Sequence, residues 1–444
     1  MTDHRARVRM YRHGLGDCLL VRLARKDAPD YSILIDCGVI LGTADASRKI
    51  NGVMDNVIAE TGGVIDLLVL THAHGDHVSG FLQAEDKFRS LKVGEVWMAW
   101  TENPDDAFAQ SLVAAKHKAK AALGMAEEAL GAAGDAETAG KIGSLLDFFG
   151  ARGGRTTEDA VEVARELAPP GKLRYCEPGQ APYRPDGVSA RIMVLGPPRD
   201  KKLIRKSAPS KGGHETYEAA AYPMLMSQLG PLAGMQDDGR PFSSLYTIPT
   251  ETAKTMPFFR DVYWGAAAGE DWRSIDDVGA ASALDLALKL DSDTNNSSLV
   301  LAIELDGGSI AGDAKGRDVL LFAADAQVGN WESWEQVKWD RPENEAEPVG
   351  GLDLVRRTIV YKVGHHGSHN ATRKAYLESM ERLLVALNPV DHDMAVKKRW
   401  GKIPLPSLEL ALRRLAREGL ARADEDGVTG PHLSEDPLFY EVTV

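Results

Sequence analysis

Thr71-His72-Ala73-His74-Gly75-Asp76-His77 sets three imidazoles and a carboxylate at the end of the apolar run Ile65-Asp66-Leu67-Leu68-Val69-Leu70. A packed interior has little use for so many polar side chains at one strand end, whereas a metal ion does. In an extended segment side chains two apart point to the same side, so His72 and His74 can reach one ion together. Asp76 and His77, just beyond, can turn toward a second ion beside it. This mixture of nitrogen and oxygen donors suits zinc and is acceptable to manganese or iron.

Further chemistry-bearing segments flank this one in a definite order. Upstream lie Gly14-Leu15-Gly16-Asp17-Cys18 and Ser32-Ile33-Leu34-Ile35-Asp36-Cys37-Gly38. Downstream come Val319-Leu320-Leu321-Phe322-Ala323-Ala324-Asp325-Ala326 and Tyr361-Lys362-Val363-Gly364-His365-His366-Gly367-Ser368. The set resembles the metallo-β-lactamase superfamily, whose first signature reads H-x-H-x-D-H. Within it, the pairing of G-x-G-D with K-V-G-H-H-G-S resembles the branch typified by the hydrolase domain of ComEC-like DNA-uptake proteins.

That resemblance implies an α/β fold, an αββα sandwich of two facing mixed sheets with external helices. It also implies one or two divalent ions, zinc or manganese. His72 and His74 are then expected on the first ion, and Asp76, His77 and His365 on the second. Asp325 bridges them, since a carboxylate has two oxygens to share. Asp76 doubles as a catalytic group. His366 is expected to support a ligand or contact the scissile group, with the reverse assignment of His365 and His366 left open. Asp36 is expected to accept a hydrogen bond from a ligating histidine and fix its tautomer; Asp17 acts similarly or organises the glycine turn. Asn296, in Thr294-Asn295-Asn296-Ser297-Ser298, resembles a polar turn of the same branch and is expected near the substrate. Ser368, with His369, lines the pocket or caps a turn.

One departure from the superfamily pattern stands out. Many members place another histidine between the first motif and the bridging aspartate, but the corresponding stretch here reads Val194-Leu195-Gly196-Pro197-Pro198. His117, in the basic helical run Lys116-His117-Lys118, reads as solvated, and His214 has no supporting pattern. The first ion site is therefore expected to be weak, or completed by water or substrate.

The elements that must position these groups are readable in outline. Arg7–Arg12, Cys18–Leu23, Ser32–Cys37, Asp66–Thr71 and Val93–Ala99 have strand character, with a short helix expected at Asp55–Glu60. Phe108, Leu112, Ala115, Ala119, Ala122, Ala126 and Ala129 recur at helical spacing, and Thr156–Leu167 reads as a further helix stopped by Pro169-Pro170. Strands resume at Leu173–Cys176 and Ser189–Leu195, then at Ser298–Leu305, Asp318–Ala323 and Thr358–Val363. Leu408–Leu420 reads as an amphipathic helix and Phe439–Val444 as a closing strand. The organisation expected is one elaborated domain over 1–444, with a helical insertion at about 101–170 and an irregular, aromatic-rich insertion at about 201–290.

With 444 residues, 43% hydrophobic and 26% charged, the chain has the composition of an ordinary globular protein. No apolar run has membrane-spanning length and no leader is recognisable, so a cytoplasmic location and no membrane partner are expected. Cys18, Cys37 and Cys176 cannot all pair, and small buried thiols are expected. The formal net charge of −13 does not attract polyanions in general. Against it stand two basic clusters, Arg199 with Lys201, Lys202, Arg205 and Lys206, and Lys397 with Lys398 and Arg399. Arg199 and Lys397 are the candidates for anchoring a phosphate, the alternative being a solvated face.

Three readings of function follow. The first is a metal-dependent phosphodiesterase or nuclease using a metal-activated water, with a phosphodiester, nucleic acid included, as substrate. The second is hydrolysis of a small ester, lactone, thioester or amide on the same core. The third is a binding or regulatory protein that keeps a metal without turnover. The sequence leaves the oligomeric state open.

Overall fold

The computed structural model describes residues 4–132, 134–146, 154–206, 248, 250–263, 275–307, 309–310, 317–340, 348–398 and 403–444. The chain divides into two compact units, Met1–Leu112 with Asp147–Pro209 and Ser292–Val444, and Val113–Leu146 with Ser210–Asp291.

In the first unit, β1 (Ala6–Tyr11), β2 (Leu19–Leu23), β3 (Tyr31–Ile35), β4 (Val64–Leu70), β5 (Lys92–Ala99) and β6 (Leu173–Cys176) join β15 (Leu433–Glu435) and β16 (Phe439–Thr443). They form one sheet in the order β15-β16-β1-β2-β3-β4-β5-β6. A second sheet holds β7 (Ala190–Gly196), β8 (Val300–Leu305), β9 (Val319–Phe322), β12 (Thr358–Lys362), β13 (Val385–Asn388) and β14 (Gly419–Arg422), in the order β14-β13-β12-β9-β8-β7. The short strands β10 (Lys338–Trp339) and β11 (Val349–Gly350) pair separately. Both large sheets are mixed. β3 to β6 run parallel while β1 to β3 are antiparallel; β9, β12, β13 and β14 run parallel while β7 to β9 are antiparallel.

The apolar runs decide this layering. Strands such as Tyr31–Ile35, buried at every position, need cover on both faces. Between the sheets, Val21, Ile33, Leu67 and Val69 meet Val194, Leu301, Leu320 and Val360. On the far side of the first sheet, Leu34 and Leu68 pack on Ile50, Val53 and Val57 of helix Ala46–Thr61 and on Ala160 and Ala164 of helix Thr157–Glu166. Beyond the second sheet, Leu321 and Tyr361 pack on Trp331, Leu354, Leu377 and Leu412, which come from four helices. Helix, sheet, sheet, helix is the expected sandwich. Within its described residues the second unit is helical, burying Ala119, Ala122, Ala126, Ile142, Ala283 and Ala287.

Two boundaries differ from the sequence expectation. The helix placed at Asp55–Glu60 runs over Ala46–Thr61; Asn51-Gly52 in its middle reads as a turn and hides the buried stripe. The helix expected to reach Leu420 is Pro406–Leu415, because Gly419, at φ +116, already opens β14. Cys18, Cys37 and Cys176 are buried free thiols. Among the described residues no helix is long and apolar enough to cross a membrane. His214 and Arg399 lie outside the described residues, as do Trp264 and Trp272 of the aromatic-rich insertion expected at about 201–290.

A buried ion cluster crosses the second sheet. Glu304 of β8, 1% exposed, accepts hydrogen bonds from Arg191 of β7 and from Arg357, the latter at 2.6 Å. Burial pushes the Glu304 carboxyl up, but Arg191 and Arg357 outweigh it and hold it below its ordinary range. A depressed folded-state pKa means stabilisation that is present above the unfolded value of about 4.3 and lost as pH falls through the folded value. Glu304→Gln should therefore cost about 3–5 kcal/mol at pH 7. The gap to wild type should shrink as both proteins are acidified below pH 4. Urea unfolding at the two pH values measures this, and equal stability at pH 7 would rule the contribution out.

Candidate metal centre

Strands β3, β4, β9 and β12 all end at one edge of the sandwich, and each is followed within three residues by a group named above. Asp36 follows β3; His72, His74, Asp76 and His77 follow β4; Asp325 follows β9; His365 and His366 follow β12. The antiparallel neighbours β2 and β8 begin at the same edge, which brings Asp17 and the Asn295–Ser298 turn alongside. The carboxyl ends of parallel strands are where open α/β sheets leave room for ligands.

Ligand atoms of Asp76, His77, Asp325 and His366 lie within 4.8 Å of one another, all four side chains being buried. His366 Nε2 is 3.0 Å from Asp76 Oδ2 and 3.5 Å from Asp325 Oδ2. His77 Nε2 is 3.2 Å from Asp325 Oδ2 and 4.0 Å from Asp76 Oδ2. The opposite nitrogens are anchored. His77 Nδ1 donates to Asp36 Oδ2 at 2.8 Å, and His366 Nδ1 to the Pro389 carbonyl at 2.8 Å. Both Nε2 atoms are thereby aimed inward. Asp36 also accepts from the Thr71 amide at 2.8 Å and the Thr71 hydroxyl at 2.6 Å, tying β3 to β4 at the site.

His72 and His74 sit beside this group, with His72 Nε2 at 3.2 Å from His74 Nδ1 and the His72 and His77 ring centroids 4.1 Å apart. His72 Nδ1 meets the hydroxyls of Thr71 at 3.1 Å and Ser298 at 3.3 Å. Burial, with His77 and His74 nearby, holds His72 well below the ordinary histidine range. Burial pushes the Asp76 carboxyl up, yet His77 and His366 bring it down to about 2. Burial resists charge on His366, but Asp325 and Asp76 raise it.

Backbone strain gathers here. Asp36, Ala324, His365 and His366 have positive φ values of 55°, 46°, 42° and 52°. A non-glycine residue in this region costs on the order of 1–3 kcal/mol and persists only where the surroundings enforce it. Close backbone contact is part of that enforcement. A Cβ on Gly38 would stand 2.5 Å from backbone atoms of Asp76 and His77, and one on Gly16 would stand 2.3 Å from the Gly38 carbonyl oxygen. The G-x-G-D segment thus works by letting three loops stack backbone on backbone.

The geometry corrects several sequence expectations. His366, not His365, joins the ligand cluster, because two consecutive left-handed residues turn the second ring inward. His365 Nε2 lies 3.9 Å from Asp325 Oδ2 and 3.3 Å from Asn295 Nδ2, with 13% of its side chain exposed. Burial lowers His365 to about 4. Asn296 does not face a substrate: its amide donates to the carbonyls of Leu203, Ile204 and Lys206 and accepts from the Asn330 amide. Ser368 donates to Asn370 Oδ1 at 3.0 Å. Arg199 pairs with Asp106 at 2.7 Å and with Glu177, and lies over the Trp100 ring. Lys397 is exposed on helix His392–Lys397, with no hydrogen bond or ion pair to the cluster. His117 is exposed on helix Ala107–Ala132.

Two features escaped the sequence reading. Lys362, 1% exposed, sits between Asp17 Oδ2 at 2.6 Å and Asp325 Oδ1 at 3.2 Å. Its position closing the apolar strand Thr358–Lys362 was the available signal. Asn330 fills the space beside Gly196, where a Cβ would stand 2.0 Å from Asn330 Oδ1. Asn330 is locked there by hydrogen bonds to the carbonyls of Asn296 and Ser298 and from Trp334. The strand end that lacks the extra histidine is occupied by this network.

The residues fit a divalent cation. Asp17, Asp36, Asp76 and Asp325 are all buried, and Lys362 pairs with two of them, Asp17 and Asp325. Asp76 Oδ1, Asp325 Oδ2 and His77 Nε2 are buried with no hydrogen bond to satisfy them. Buried anionic oxygens left in this state are costly unless a cation meets them. Residues 12–122 match the family model of the metallo-beta-lactamase superfamily. That span holds the H-x-H-x-D-H segment and ends before Asp325 and His366. No curated protein matches the chain.

Gly38→Ala should fold less stably and lose divalent metal binding, because the new methyl group has only backbone to displace. Gly52→Ala, on a helix with nothing within 4 Å of the new Cβ, should gain up to about 1 kcal/mol. Thermal unfolding with and without added manganese or zinc compares them. Metal-dependent stabilisation surviving in Gly38→Ala would contradict the close-packing argument.

Proposed function

We propose that this chain is a metal-dependent hydrolase whose substrate is a phosphodiester. The observation that carries the hydrolase reading is the convergence of Asp76, His77, Asp325 and His366 on one buried point. A divalent ion held by Asp76, His77, Asp325 and His366 would supply Lewis-acid polarisation and a water made nucleophilic near neutral pH. The protein's own groups do the rest. Asp36 and the Pro389 carbonyl hold His77 and His366 in one orientation each. Such anchoring partners typically change metal affinity or activity by about 10–100-fold. His365, less buried than His366 and neutral at pH 7, stands beside the cluster where it can hydrogen-bond a substrate oxygen.

The phosphodiester assignment is supported by the resemblance of the Lys362–Ser368 and Gly14–Asp17 segments to ComEC-like hydrolase domains. Lys201, Lys202 and Arg205, exposed just after β7, add positive charge. A small ester, lactone, thioester or amide is the second reading, favoured by one observation: Arg199 and Lys206 are already paired with Asp106, Glu177 and Glu332.

Purified protein supplied with manganese or zinc should hydrolyse bis-p-nitrophenyl phosphate. Asp76→Ala and His366→Ala should each retain about a hundredth of the rate or less, a loss at or beyond the upper end of that seen when only a partner orienting a metal ligand is removed. Single- and double-stranded DNA and a lactone panel complete the assay. Lactone turnover with inert phosphodiesters would transfer the assignment to the second reading, and bound metal without any turnover would defeat both.

A further inference from the structure

We infer that Lys362 is a positioning residue that takes the place of a cation at this centre, so that Asp325 spans the metal site and a protein ammonium. The inference rests on the metal-centre reading above and extends it. Lys362 ends β12, in register with Phe322 of β9 and Leu387 of β13. Alternation puts its side chain on the same face as Val360, which belongs to the core between the sheets. An apolar strand facing that core has no ordinary reason to end in a buried lysine.

The ammonium is fully used. It donates to the Ala324 carbonyl at 2.9 Å and to Asp325 Oδ1 at 3.2 Å, and pairs with Asp17 Oδ2 at 2.6 Å. A lysine has three donors, and here each has an oxygen acceptor, two of them anionic. The acceptors come from different parts of the fold: Asp17 from the loop entering the first sheet, Ala324 and Asp325 from the strand end of the second. Lys362 therefore clamps the two sheets at the site. It also divides the work of Asp325. Oδ1 is held by the ammonium, and Oδ2 is turned toward His77, His366 and His365, at 3.2, 3.5 and 3.9 Å. Ala324, the residue whose carbonyl Lys362 binds, is one of the strained left-handed residues, at φ +46. The same ammonium that orients the carboxylate also steadies the turn presenting it.

A lysine placed only to fill space would need none of this arrangement. A cation surrogate needs all of it: a charge, a rigid set of oxygen acceptors, and a shared carboxylate. Arginine would not substitute, since its planar fork cannot meet three acceptors grouped about one point.

The test reads metal binding directly and needs no substrate, so it stands apart from whether the chain hydrolyses phosphodiesters. The full chain is loaded with cobalt(II), and its visible absorption spectrum and affinity are measured by chelator competition. Lys362→Ala should bind cobalt about tenfold or more weakly with an altered spectrum. Methylammonium should restore both toward wild type, and tetramethylammonium, which has no N–H, should not. Asp17→Asn, which keeps the lysine but removes one anionic anchor, should shift the spectrum in the same direction. Wild-type affinity and spectrum in Lys362→Ala would overturn the inference, as would a loss that methylammonium fails to repair. Should circular dichroism show that Lys362→Ala is unfolded, Asp17→Asn decides, and an unchanged spectrum in that folded variant overturns it.

Discussion

Four carboxylates buried at the meeting edge of two sheets impose the constraint from which the remaining features of this protein follow. Asp17, Asp36, Asp76 and Asp325 are each 2% exposed or less, and carboxylates in such a setting repel one another and resist dehydration. Each neighbour answers a part of that charge. Lys362 meets Asp17 and Asp325; His77 and Thr71 meet Asp36; His366 meets Asp76. What is left over, the inward oxygens of Asp76 and Asp325, is the part a divalent ion would neutralise. The strained turns fit the same account. Four left-handed non-glycine residues together cost on the order of 4–12 kcal/mol. A structural zinc site contributes about 10–16 kcal/mol in small metal-binding peptides. Ion binding of that size would offset the strain, but the strain itself persists only because the sandwich core holds these edges in place.

That requirement explains why the site sits where it does. A strand end in the middle of a sheet is fixed by its neighbours on both sides, and β3, β4, β9 and β12 are all interior strands. Short loops from such strands inherit their precision. The glycine contacts at Gly16 and Gly38 then bring the loops closer together than side chains would allow. Stability and ligand geometry are therefore the same property at this edge: a change that loosens the loops also spreads the donors.

The legible part of the sequence was whatever local order carries. H-x-H-x-D-H announces itself because its groups are neighbours in the chain, the strands announce themselves as apolar, β-branched runs, and the layered sandwich was expected from the family resemblance those motifs carry. Choices made by backbone torsion were not legible. Whether His365 or His366 turns inward depends on two consecutive positive φ values, and no composition rule encodes that. Asn295 and Asn296 differ by one position, yet one approaches His365 while the other is spent on the loop at Leu203–Lys206. Partners distant in sequence were equally hidden. Arg199 reads as a free cation until Asp106 and Glu177 are found against it, and the sequence assigns Lys362 no role until Asp17 is folded onto it. Strands β13, β14 and β15, of four, four and three residues, are too short for a periodic signal.

The same distinction bears on how a substrate is recognised. A net charge of −13 says little about one site, because exposed charges are screened over about 8 Å at physiological ionic strength. Local groups decide, and here the cations nearest the end of β7 are partly neutralised by their own carboxylates. On the phosphodiester reading, then, binding energy comes chiefly from the buried centre and the imidazole of His365, rather than from a basic track along the surface. Recognition of that kind acts on the scissile group and its immediate neighbours. It favours a small phosphodiester or a flexible strand that can enter the sheet edge over a long duplex held by its backbone, since duplex binding draws its affinity from many simultaneous phosphate contacts.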